Sequence, residues 1–76
     1  MSMQKSVFSK KFGEQLKKEK EKLSISQSEL ARMCLKDRQY IHRIENGTIT
    51  PTIYTVFLIC KELNINIAAL MPKEPL

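Results

Sequence analysis

Apolar residues in this chain recur at helical spacing and nowhere alternate with polar ones over strand length. Helix start and stop signals cut that pattern into short pieces. Phe8, Phe12, Leu16 and Leu23 follow one another at intervals of four, four and seven, a helical stripe that Glu19 interrupts. Ser9 is a suitable N-cap for it, and Ser24-Ile25-Ser26 breaks it. Ser26-Gln27-Ser28-Glu29 then has the form of a capping box, with Ser at the N-cap and Glu at the third helical position. Leu30, Ala31, Met33 and Cys34 supply the buried side of a short second helix. Leu35-Lys36-Asp37 reads as a turn, because Asp37 is a good N-cap for the next helix. That third helix runs from Arg38 to about Asn46, where Asn46-Gly47 is a strong stop. Thr52 opens a fourth helix whose wide apolar face is Ile53, Val56, Phe57, Ile59, Cys60 and Leu63, and Asn64 closes it. Residues 67–70 add a final helical turn. The expected fold is all-α, with about five helices. Residues 1–8 are expected to form a flexible arm, 9–71 the domain and 72–76 a tail.

A chain of 76 residues, 42% of them apolar, can fill one core. A domain this small buries only about 60% of its unfolded surface, too little for a core and a deep substrate cleft. Cys34 and Cys60 are most simply buried small hydrophobes. With one histidine and no C-x-x-C there is no ligand set for zinc. The first residues lack the apolar stretch of a signal peptide, and the longest apolar run, residues 56–60, is far short of a membrane span. A reducing, cytoplasmic setting is the default expectation, and no cofactor, small-molecule substrate or enzymatic array is expected.

The net charge of +5 is uneven. Residues 1–22 hold seven Lys against three Glu, residues 23–50 four basic against three acidic groups, and the remainder balances. A solvated basic helix or a polyanionic partner would each account for this. The third helix adds direction. With Arg38 at zero and about 100° per residue, His42, Asn46, Gln39 and Arg43 fall at about 40°, 80°, 100° and 140°. Tyr40, Ile44 and Ile41 fall near 200°, 240° and 300°. One half of the helix is therefore long-armed and polar, the other apolar. Arg and Gln can make paired hydrogen bonds to guanine and adenine edges in the major groove. A short helix, a three-residue turn and a second short helix form a helix-turn-helix plan.

Ser26-Gln27-Ser28-Glu29-Leu30-Ala31, followed by Tyr40-Ile41-His42-Arg43-Ile44-Glu45-Asn46-Gly47 and Pro51, resembles the Cro/repressor-type helix-turn-helix proteins, the XRE family, with a lambda-repressor-like domain. The likeness runs over roughly residues 10 to 70. It implies a five-helix domain, operator binding by the third helix and a homodimer. It also implies base contacts from Arg38, Gln39, His42 and Arg43, and phosphate contacts from Gln27, Asn46 and Thr48, with Lys17 a further candidate. Tyr40 resembles a phosphate-facing hydroxyl, although its angle also allows a core role. Lys20 and Glu45 match an ion pair tying the first helix to the third, with Lys where Arg is commoner. The implied dimer interface lies in the C-terminal third: Ile65, Ile67 and Leu70, with Tyr54 and Leu58 off the main stripe of the fourth helix. The turn departs from the family, with Leu35 at the usual Gly or Asn and Lys36 at a usually buried position. A repacked turn with Leu35 buried is one solution. Repressors, restriction–modification controllers and antitoxins all fit this size. The alternative is the same fold used as a protein-interaction module.

Overall fold

The computed structural model describes residues 3–73. Four α-helices and one 3-10 turn make up the regular structure: α1 (Lys5–Lys22), α2 (Gln27–Met33), α3 (Arg38–Glu45), α4 (Ile53–Leu63) and the turn Ile67–Ala69. No strand occurs among the described residues. Three of the expected starts are present as hydrogen bonds. Ser26 and Glu29 form the reciprocal capping box, Asp37 accepts from the Tyr40 N–H, and Thr52 accepts from the Thr55 N–H. The fifth expected helix is only the 3-10 turn, capped by Asn66.

The start of α1 differs from the expectation. The helix begins at Lys5 after Gln4, so residues 5–8 of the expected arm are helical. Met1 and Ser2, and residues 74–76 of the expected tail, lie outside the described residues. Ser9 is not a cap: it is buried, and its hydroxyl bonds that of Thr50 in the loop after α3. The earlier start brings Phe8, the first residue of the apolar stripe, inside the helix, where it stacks on Phe12 with ring centroids 6.1 Å apart. Leu23 falls just past the helix end and is exposed, and Ile25 packs on the core in its place.

All four helices end with the same backbone device. An N–H beyond the helix end reaches back to a carbonyl five residues earlier: Ile25 to Lys20 (3.0 Å), Lys36 to Ala31 (2.8 Å), Thr48 to Arg43 (2.9 Å) and Ile65 to Cys60 (3.0 Å). Each such ending needs one residue in the left-handed region. Those residues are Ser24, Leu35, Gly47 and Asn64, with φ of 55°, 57°, 75° and 54°. Leu35 therefore keeps the family's turn instead of repacking it, and its side chain is 92% exposed. Lys36 stays at the surface too, its ammonium 5.2 Å from the centroid of the Tyr40 ring.

The core is built from Phe12, Leu16, Leu30, Ile41, Ile44, Ile59 and Leu70, each fully buried, with Val56, Cys60 and Leu63 around them. α1 lies very close against the end of α3. A Cβ on Gly13 would stand 2.5 Å from the Glu45 carbonyl oxygen and would also strike that of Ile44. A Cβ on Gly47 would stand 2.7 Å from the Lys10 Cα. The two helices touch backbone to backbone only because these positions lack side chains.

Two substitutions test this. Gly13→Ala should raise intrinsic helix propensity by about 1 kcal/mol, yet its methyl group meets main chain that cannot rotate away. The expected net loss in denaturant unfolding is about 1–3 kcal/mol. Leu35→Gly removes a left-handed leucine that buries nothing. Thermal unfolding should show a gain of about 1 kcal/mol.

Candidate nucleic-acid interface

α3 is amphipathic in the sense its sequence requires. Ile41 and Ile44 are fully buried, whereas Arg38, Gln39, His42, Arg43 and Asn46 are exposed. Arg38, Gln39 and Arg43 make no side-chain hydrogen bond or ion pair among the described residues, so their donors are free. The acidic groups nearby are occupied as caps. The Asp37 carboxylate takes the Tyr40 N–H at 2.8 Å. Bonds from the Ser26 backbone N–H and then its hydroxyl lower the Glu29 pKa below the ordinary carboxylate value. Both carboxylates are exposed at the starts of α2 and α3; the other exposed groups on this side are cationic or neutral: Arg38 and Arg43 on α3, Lys36 in the turn, and Thr48 in the loop beyond. Lys17 is exposed on α1, three residues before Lys20.

A line of polar contacts runs from inside the molecule out to α3. Lys20 Nζ lies 3.3 Å from Glu45 Oε2, and both side chains are almost completely buried. That oxygen has no partner with hydrogen-bond geometry, so charge attraction alone serves it. Gln27 Nε2 donates to the other oxygen, Oε1, at 2.9 Å. The same nitrogen is 3.3 Å from His42 Nδ1, and His42 Nε2 is 3.0 Å from the Asn46 carboxamide. Gln27 is thus half-buried with its nitrogen committed inside the protein, where a phosphate contact was expected. Tyr40 turns its hydroxyl inward to Thr55 Oγ1 at 3.5 Å, the core role its angle allowed. Neither Gly13 nor the Gln27–His42–Asn46 link emerged from the sequence. The available signal for the first was an isolated helical Gly two turns before Lys20, on nearly the same face.

The C-terminal third holds a separate apolar surface. Ile53, Tyr54 and Phe57 are 75%, 65% and 56% exposed, and Ile67 is also exposed. Ile53, Phe57, Cys60, Lys61, Asn64, Ile65 and Ile67 line an open groove of about 620 Å³. Ile53 and Phe57 belong to the expected wide apolar face of α4, but the core does not cover them. The apolar face of α4 is wider than one core needs, so Val56, Ile59 and Leu63 turn inward and the adjacent stripe faces out. Leu70, expected at this surface, is fully buried and belongs to the core. Leu58 is half-buried against the core.

No group of three or more His, Cys, Asp or Glu among the described residues could hold a metal ion. Cys34 and Cys60 are buried free thiols, and burial raises the pKa of both. No helix is long and apolar enough to cross a membrane among the described residues.

Comparison with known proteins gives these features a family. The HTH_3 helix-turn-helix model matches residues 16–70. The chain belongs to this XRE-type helix-turn-helix family. The restriction-modification controller protein C.AhdI from Aeromonas hydrophila superposes with a TM-score of 0.79 at 26% identity, over 82% of this chain and 90% of that one. An HTH_3 family transcriptional regulator from Vibrio cholerae shares the fold, with a TM-score of 0.83 at 24% identity, over 88% of this chain and 38% of the other. Fe(II)-HppE, solved with an alternative substrate, also contains the fold, with a TM-score of 0.79 at 27% identity. This chain spans 86% of its own length but only 34% of that protein's. The likeness to HppE is therefore to a helix-turn-helix portion of a larger protein. A sequence search of curated proteins finds no match. In this XRE-type protein the first eleven residues of α1 precede the family match, and Gly13 is among them.

The buried ion pair makes a direct prediction. Lys20→Met leaves the Glu45 carboxylate buried with only a carboxamide donor. Chemical unfolding should show a loss on the order of 3 kcal/mol, far above that of an exposed lysine such as Lys18.

Proposed function

We propose that this XRE-type protein is a sequence-specific DNA-binding transcriptional regulator that acts as a homodimer and represses by occupying promoter DNA. α3 enters the major groove. Arg38, Gln39 and Arg43 reach base edges, and His42 sits on the same face. Thr48, Asn46 and Lys17 lie toward the phosphates, and Gln27 serves them by ordering His42. The observation that carries this reading is the division of α3: its aliphatic half is wholly buried, while its guanidinium and carboxamide groups are exposed and unpaired. Arg pairs with guanine and Gln with adenine through two parallel bonds, whereas phosphate contacts set register. Likeness to a restriction-modification controller over most of both chains supports a compact regulator of this kind.

A second copy is the occupant best suited to the α4 groove. Ile53, Phe57 and Ile67 line it and are exposed together, with Ile65 half-buried beside them, and Tyr54, next to Ile53 in the chain, is exposed too. A two-fold pair built there would present two α3 helices to half-sites about 34 Å apart.

Selection of bound duplexes from random DNA should yield an inverted repeat. On the selected site Arg38→Ala should cost about 1–3 kcal/mol and relax one base preference. Lys17→Ala should weaken all sequences alike and lower the salt slope by about 1. Failure of both changes to alter binding would overturn this docking. Phe57→Glu should convert a dimer to a monomer in sedimentation and weaken binding to a two-half-site duplex more than to a single half-site. A native chain that sediments as a monomer even on DNA would contradict the dimer.

A further inference from the structure

We infer that Gln27 is a positioning residue: it fixes which nitrogen of His42 carries the proton and, through His42, which end of the Asn46 carboxamide faces outward. The consequence for DNA rests on the proposed function, and the proton assignment does not.

The number of available donors sets the assignment. Glu45 is a buried carboxylate that can only accept hydrogen bonds. Its Oε2 faces Lys20 Nζ, and its Oε1 receives Gln27 Nε2 at 2.9 Å. Turning the Gln27 amide end for end would set its oxygen against a carboxylate oxygen, so the nitrogen stays. That nitrogen has two hydrogens. One goes to Glu45, and His42 Nδ1 stands 3.3 Å away in position for the other. Nδ1 must then offer a lone pair. A neutral imidazole with an unprotonated Nδ1 carries its hydrogen on Nε2.

Nε2–H is a donor and requires an acceptor. The Asn46 amide atom placed 3.0 Å from it is Nδ2, which would set donor against donor. The two ends of a carboxamide have nearly the same shape, and hydrogen bonding decides between them. Asn46 is therefore turned so that Oδ1 receives Nε2–H, and its NH2 group points away from the ring. The buried Lys20–Glu45 pair thus sets the polarity of an exposed residue at the end of α3 through two intermediates. Asn46 presents two donors, suited to phosphate oxygens or to acceptor atoms on bases. His42 has both nitrogens engaged and acts through Asn46.

His42 is the only histidine, so the imidazole 15N resonances of uniformly labelled protein report this site alone. Above a pH of about 7.5, where an ordinary imidazole is neutral, the native chain should show an unprotonated Nδ1 and a protonated Nε2. Gln27→Ala should give averaged shifts from two exchanging tautomers, while Asn46→Ala should leave the native pattern in place. Dispersed amide spectra establish that each variant is folded. On DNA, Gln27→Ala and Asn46→Ala should each weaken binding about 3- to 10-fold, and the double variant no more than the stronger single one. A native Nδ1–H tautomer, a native mixture, an unchanged spectrum in Gln27→Ala, or additive losses on DNA would each overturn the proposal. A native chain with the expected spectrum and no sequence-specific DNA binding would leave the proton assignment standing and refute the DNA reading instead.

Discussion

The contact between α1 and the C-terminal end of α3 governs the rest of this structure. Gly13 lets α1 lie directly on the carbonyls of Ile44 and Glu45, and Gly47 lets the chain leave α3 against the backbone of Lys10. Seven residues beyond Gly13, Lys20 meets the buried Glu45 carboxylate. Close packing and a buried charge pair therefore act on the same stretch of α3. Two charges out of water are a poor source of net stability, but they are intolerant of displacement. The result is a short helix held along its inner edge, with its outer edge exposed.

That outer edge has two parts with different mechanical character. Arg38, Gln39 and Arg43 are long, exposed and unpaired, so they can adapt to what they meet. His42 and Asn46 are tied through Gln27 to the buried pair. Adaptable arms cost side-chain entropy when they bind, about 0.5–1.5 kcal/mol each, whereas pre-ordered groups have already lost that freedom on folding. On the proposed DNA reading, such a face combines variable base contacts with a fixed anchoring point.

Much of this was legible in the sequence because it is local. The capping box at Ser26 and Glu29 and the caps at Asp37 and Thr52 depend on residues within one turn of each other. The angles along α3 follow from helical geometry alone, which is why its buried and exposed halves could be assigned. The misses are non-local. Ser9 resembles a cap, but its partner is Thr50, forty-one residues away. Ile53 and Phe57 are as apolar as Val56 and Ile59, and only the position of the other helices decides which stripe of α4 is covered. For Leu35 the sequence left a repacked turn open as one solution. The turn kept its geometry, because the Lys36 N–H bond to Ala31 closes α2 whatever side chain sits between them.

The central claim, that the outer face of α3 is the surface that meets DNA, is open to one direct measurement. Amide and side-chain chemical shifts can be followed while an operator selected from random duplexes is added to the labelled native chain. The expected changes fall on Arg38, Gln39, Arg43, Asn46 and Thr48, with those of α4 confined to any dimer contact. Shifts concentrated on another surface, with the outer face of α3 unmoved at saturating DNA, would contradict it.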